Sequence, residues 1–157
     1  MRQEIQDAIA TMLGAIDRLD WGTARAAFAP TVTVDYTSLF GGTAETLSAE
    51  TLLERWRRLL PGFEATQHLI GPVIVTGDGG PAATAEAQVR GYHYVSGAQG
   101  GPMWMAAGRY RFAMERRDGE WRIGAITLHL AYQEGNRGLP ETAQARVAAG
   151  KERPASR

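Results

Sequence analysis

Two of the three histidines in this 157-residue chain sit in strand-like runs that can fold onto each other. His68 lies in Thr66-Gln67-His68-Leu69-Ile70, an apolar β-prone stretch that continues through Gly71-Pro72-Val73-Ile74-Val75. His93 lies in a second run, Ala82 to Val95, and the turn cluster Gly77-Asp78-Gly79-Gly80-Pro81 separates the two. Positions 68 and 93 are equidistant from a centre between Gly80 and Pro81. A regular antiparallel hairpin folded there sets the imidazoles opposite each other on one face, with Cβ atoms roughly 4.5–5.5 Å apart. Thr66, Ile70, Ile74, Ala83, Ala85, Ala87, Val89 and Gly91 complete that face, and their apolar or small character makes it the inward one. Imidazole takes up and returns protons near neutral pH, so the pair points to acid–base chemistry. For either histidine alone, the competing reading is a hydrogen-bonded structural residue.

Composition narrows the partners. Lys+Arg and Asp+Glu both number 17, so there is no basic surplus to draw nucleic acid or an anionic membrane. The absence of cysteine removes disulfides, thiolate nucleophiles and thiolate zinc sites, and fits a cytoplasmic setting. No apolar run approaches membrane-spanning length, and Met1-Arg2-Gln3-Glu4 opens no secretory signal. With 44% hydrophobic and 22% charged residues, the chain has the make-up of one soluble domain with a true core. A small-molecule ligand is the expected partner.

Helices must hold the histidine hairpin. Ile5, Ile9, Met12, Leu13, Ile16 and Leu19 recur at helical spacing, which predicts an amphipathic helix over about 3–19. Asp17 follows Leu13 by one turn and therefore flanks the apolar stripe. Asp20 is placed to cap a short helix from Trp21 to Phe28, ending before Pro30. Val32-Thr33-Val34-Asp35-Tyr36 alternates as a strand, and Ser48 caps a helix carrying Leu52, Leu53, Trp56, Leu59 and Leu60. Met103–Arg116 and Glu120–Tyr132 are strands joined through a three-residue loop, Arg117-Asp118-Gly119. Trp104, Tyr110, Phe112 and Met114 share one face of the first, Ile126, Leu128, Leu130 and Tyr132 one face of the second, and the loop sets these two apolar faces on the same side. His129 then points outward and is structural. Met103, Met105 and Ala107 form an exposed sheet face that suits an interface. Residues 1–135 read as one domain. Residues 136–157 read as a C-terminal extension, a short helix and a frayed tail. Helices first and antiparallel strands after make an α+β fold, helices packed on a curved sheet that forms a cup for a small ligand.

This order resembles the SnoaL-like (NTF2-like) superfamily, and within it the scytalone dehydratases. The resemblance runs from about Asp17 to Gly135. It rests on Asp20-Trp21, Ala29-Pro30-Thr31, Val34-Asp35-Tyr36, Thr66-Gln67-His68 with Ile70-Gly71, and His93, and less specifically on Asp118-Gly119-Glu120-Trp121. It implies a cone-shaped curved sheet, an α+β barrel, and a cofactor-independent, metal-free dehydratase acting on a small cyclic hydroxy-ketone. An isomerase, a cyclase or a non-catalytic binding module are its alternatives. His68 is implied as the acid/base, Asp17 as the carboxylate that orients it, Tyr36 as the phenol on the substrate carbonyl and His93 as the second pocket histidine. Tyr110, Trp104, Trp56 and Phe40 are the candidates for substrate-binding walls, with core packing as the alternative for the aromatics. The family's other carbonyl-side tyrosine falls at Ile16, and its pocket serine and asparagine fall near Gly108 and Tyr110, so a different substrate is expected. The relatives imply a homo-oligomer, trimer or dimer.

Overall fold

The computed structural model describes residues 1–156. Helix α1 (Arg2–Asp17) buries Ile5, Ile9, Met12, Leu13, Ala15 and Ile16 along one side. It stops sharply: Leu19 takes a left-handed φ of 59°, and the Asp20 amide returns to the Ala15 carbonyl at 2.8 Å. That Schellman closure leaves Asp17 as the last helical residue. Asp20 caps α2 (Trp21–Ala26) by accepting from the Thr23 amide at 3.1 Å. Strand β1 (Phe28–Asp35) leads to a one-turn helix α3 (Thr37–Phe40), which replaces the expected extension of the strand through Tyr36. Strand β2 (Glu45–Ser48), the Ser48-capped helix α4 (Ala49–Arg57) and a 3₁₀ turn (Leu60–Gly62) follow.

The remaining strands are β3 (Ala65–Ile70), β4 (Ile74–Thr76), β5 (Ala82–Tyr94), β6 (Met103–Arg117) and β7 (Glu120–Gly135), before helix α5 (Leu139–Ala148). They form one seven-stranded sheet in the order β2-β1-β7-β6-β5-β3, with β4 beside β3 on β5. The α+β fold is as expected. The sheet is curved but unclosed, and one pairing, β1 with β7, is parallel. The helices and the inner face of the sheet share a core that includes Phe28, Phe63, Phe112, Met114, Ile123 and Ile126. No helix among the described residues is long and apolar enough to cross a membrane.

Four further expectations need correction. First, the hairpin register is two residues away from symmetric: His68 pairs with Gly91, and His93 with Thr66. The break at Gly71-Pro72-Val73 separates β3 from β4, and an even-numbered shift keeps both imidazoles on one face. Beyond the break, the β4 register differs by one, so Ile74 pairs with Glu86 and turns outward, 68% exposed, while Val75 faces inward. Second, the β6–β7 turn has two residues. Arg117 pairs with Glu120 across Asp118 and Gly119, whose φ values are 50° and 82°. A bulge at Gly124 pairs Phe112 with Ile126 and Tyr110 with Leu128 and so restores the expected shared side, and a second near Ala131 turns Tyr132 outward.

Third, Met105 and Ala107 are buried, so of the supposed exposed face only Met103 is open. Their cross-strand neighbours Tyr92, Arg90, Tyr132 and Glu134 are long enough to cover them. Fourth, the tail is tied down rather than frayed over its described residues, 151–156. Helix α5 sits tightly on the 3₁₀ turn: a Cβ at Gly62 would lie 1.9 Å from the Ala143 carbonyl oxygen. The tail beyond α5 then runs back across the molecule, with Arg153 bonded to the Pro61 carbonyl and the Ser156 amide to that of Arg18.

Candidate active site

The end of α1 and the edge strand β3 bring Asp17 and His68 together. His68 Nδ1 lies 2.7 Å from Asp17 Oδ1, and the His68 amide donates to Oδ2 at 2.8 Å. Thr66, two residues earlier on the same strand face, donates its hydroxyl to Oδ1 at 2.9 Å. A carboxylate only accepts, so Nδ1 carries a proton, and in the neutral ring Nε2 holds the lone pair. Burial alone would raise the Asp17 carboxyl, but the hydrogen bonds and charge of His68, with Thr66, hold it below the usual aspartate value. Asp17 is thus ionised behind His68, and the imidazole borders a cavity of about 400 Å³.

His93 occupies the same sheet face in a different environment. Its Nδ1 lies 3.2 Å from the Trp104 carbonyl oxygen, again fixing the proton on Nδ1. Its ring stacks on Trp104 at 4.2 Å and meets Phe63 at 4.9 Å. Burial, reinforced by the neighbouring His68, pushes its pKa down to about 3. His93 is therefore neutral, with Nε2 an acceptor. The two imidazoles meet edge to face, ring centroids 5.7 Å apart. Gly91 makes room for them: a Cβ there would lie 3.3 Å from His93 Cε1 and 3.4 Å from His68 Cδ2.

Phenols furnish another wall. Tyr36, at the junction of β1 and α3, meets Tyr110 of β6 edge to face at 6.5 Å. Burial, with the Tyr110 hydroxyl close by, holds Tyr36 well above the ordinary phenol value, and burial pushes Tyr110 up to about 12. Both remain neutral hydrogen-bond donors. Ser38 secures this wall by donating to the Leu128 carbonyl at 2.6 Å and accepting from the Leu130 amide at 2.9 Å, which holds α3 on β7.

His68, His93, Tyr36, Tyr110, Trp104, Trp56 and Phe40 all border the cavity, and Asp17 lies behind His68. Trp104 is oriented by its indole N–H, which donates to Gln133 Oε1 at 2.8 Å. Trp56 also packs edge-on against Phe28 in the core. Phe40 is 59% exposed and stands at the mouth, beside the ion pair of Arg55 with Glu45. Ile16, Leu52 and Leu128 make the remaining wall largely apolar. Sequence reasoning did not single out Thr66 as a partner of Asp17, Gly91 as the space between the imidazoles, or Phe63 as the platform under His93. Thr66 and Gly91 were legible only as members of the inward face. Arg153, whose guanidinium reaches Thr66 and the end of α1, gave no local signal.

The model of the SnoaL-like domain matches residues 1–127. No curated protein matches the chain. A crystal structure of a protein from Kribbella flavida is 25% identical, covers 91% of this chain and 96% of its own, and superposes with a TM-score of 0.81. A scytalone dehydratase-like protein from Novosphingobium aromaticivorans is 16% identical, with 85% of each chain covered and a TM-score of 0.71. A hexachlorocyclohexane dehydrochlorinase from Novosphingobium barchaimii is 18% identical over 87% of this chain and 90% of its own, with a TM-score of 0.70.

Proposed function

The chain belongs to the SnoaL-like domain family, and from that premise we propose that it is a cofactor-independent dehydratase acting on a small cyclic hydroxy-ketone. The family includes dehydratases and dehydrochlorinases alongside isomerases and non-catalytic members. The observation that carries the enzymatic reading is the Asp17–His68 pair: a carboxylate holds Nδ1–H at 2.7 Å, and the ring borders the cavity.

His68 Nε2 removes the proton α to the substrate carbonyl. The electron pair moves onto the carbonyl oxygen, where the neutral phenols of Tyr36 and Tyr110 donate to the forming enolate. The enolate then collapses, the bond to the β-hydroxyl breaks, and that oxygen takes the proton back from His68. Water and a conjugated enone are the products. Asp17 fixes the imidazole tautomer and stands beside the transient imidazolium. His93 accepts a hydrogen bond from the substrate hydroxyl through its bare Nε2. Because one nitrogen both removes and returns the proton, both groups leave from the same face.

The walls support a substrate class. Trp104, Trp56 and Phe40 suit a flat ring of polyketide, aromatic or steroid type, and Ile16 makes one wall apolar where a relative's second carbonyl-side tyrosine would stand. An isomerase or cyclase would use the same proton transfers without loss of the hydroxyl. We further propose a cytoplasmic homo-oligomer, trimer or dimer, which sedimentation would measure.

The test is a screen of cyclic β-hydroxy-ketones for enone absorbance, repeated with His68→Ala and Asp17→Asn. Loss of turnover in both is expected. Full activity in both overturns the assignment, and ligand binding without turnover in the parent favours a binding module.

A further inference from the structure

The chain's strongest unexplained polar cluster lies behind Asp17, on the side away from the cavity. Arg153, in the tail after α5, donates from Nη1 to the Phe63 carbonyl at 2.9 Å and also to that of Leu60. From Nη2 it donates to the Asp17 carbonyl at 3.1 Å and to Thr66 Oγ1 at 3.2 Å. One guanidinium thus joins three segments: the C-terminal end of α1, the loop around the 3₁₀ turn, and β3. Exposed carbonyls at a helix C-terminus lack partners within the helix and attract a cation, so the end of α1 suits an arginine.

We infer that Arg153 is a positioning residue, which sets Asp17 for its work on His68 by way of Thr66. The Thr66 hydroxyl has one proton. Arg153 has only donors, so where it bonds Thr66 Oγ1 it takes a lone pair and leaves that proton for Asp17 Oδ1 at 2.9 Å. The same guanidinium holds the Asp17 backbone, so it fixes both the root of the side chain and one of its donors. Arg153 is half-buried, and the Asp17 carboxylate opposes the loss of charge that burial would favour in it. The catalytic consequence rests on the proposed acid–base role of His68; the effect on Asp17 itself does not.

The experiment is carbon-13 NMR of the Asp17 carboxyl through an acid titration, in the parent, Arg153→Met, Arg153→Lys and Thr66→Val. Arg153→Met should raise the Asp17 midpoint, and Arg153→Lys should recover part of the shift, since an ammonium donates to fewer acceptors at once. Thr66→Val should raise it too, and the double variant should add little to the larger single change, because both break one relay. With a dehydration substrate, Arg153→Met should lower kcat several-fold and leave KM unchanged. A folded Arg153→Met with an unmoved Asp17 midpoint overturns the inference and makes the tail a structural strap only. Should that variant fail to fold, Thr66→Val decides alone, and an unmoved midpoint there overturns it. A moved midpoint in a protein that turns over no hydroxy-ketone keeps the positioning role and removes the dehydratase reading.

Discussion

His68 and His93 stand on the same face of two paired strands, their rings 5.7 Å apart, yet the protein surrounds them with opposite chemistry. Behind His68 are an ionised carboxylate, a hydroxyl and a guanidinium. Around His93 are two aromatic rings and backbone carbonyls, that of Trp104 among them. Each environment fixes the proton on Nδ1, but only the first supplies a negative charge to meet a second proton. On the proposed reading, the same side chain serves as a proton carrier in one place and a neutral acceptor in the other. Residue type marks both as candidates for acid–base work; the surroundings assign the parts.

Removing the carrier tests that contrast most strongly. His68→Ala should lower kcat by about 10²–10⁴-fold, the usual range for positioned acid–base catalysis. Asp17→Asn should lose on the order of 10²-fold or more, since a neutral amide cannot stabilise the imidazolium. His93→Phe should cost less than either, because it removes an acceptor and not the base. Steady-state rates on one hydroxy-ketone substrate would rank the three, and a His93→Phe loss equal to that of His68→Ala would erase the division of labour.

The contrast was only half legible in the sequence. The shared face of the two histidines follows from alternation in two strands, and it survived a register error because the shift was even. The same reasoning failed at Ile74, where the Gly71-Pro72-Val73 break shifts the pairing by one and turns the side chain outward. Asp17 could be placed beside the apolar stripe of α1, but its contact with His68 came from family resemblance, since no spacing rule links residues 51 apart. Arg153 is further out of reach. It lies in a polar, alanine-containing tail without periodicity, and its partners include four backbone carbonyls, which no side-chain pattern announces.

A smaller effect comes from disturbing both imidazoles at once. A methyl group at Gly91 would sit 3.3 Å from His93 Cε1, a tight contact, and 3.4–3.5 Å from atoms of the His68 ring, at ordinary contact distance. Gly91→Ala should fold with a loss of roughly 1 kcal/mol, the low end for an overpacked site. Its kcat should fall a few-fold, since the rings need give only slightly, far less than the ~1 Å misplacement that costs about 10²-fold. Thermal denaturation and turnover together check it. Unchanged turnover would mean that the imidazole separation has slack.

A last test leaves turnover aside, reads the pH dependence of stability, and isolates His93. Its folded pKa of about 3 lies below the ordinary histidine value of 6.5, so between those pH values the unfolded chain binds the extra proton. Stability from this group is therefore complete above pH 6.5 and lost as pH falls, with a limiting slope of about 1.4 kcal/mol per pH unit. Asp17 also has a lowered pKa, but its contribution fades only below its ordinary 3.8, so measurements above pH 4 separate the two. His93→Phe keeps a ring between Trp104 and Phe63 and removes the proton site. At pH 7 it should be about 1 kcal/mol less stable than the parent for want of the bond to the Trp104 carbonyl. On acidification the parent should lose stability faster, and the two curves, measured by urea unfolding, should cross between pH 7 and 4. Parallel curves would mean that His93 takes up its proton without cost. The aromatic wall would then offer no protection against charge, and the two imidazoles would differ only in their hydrogen-bond partners.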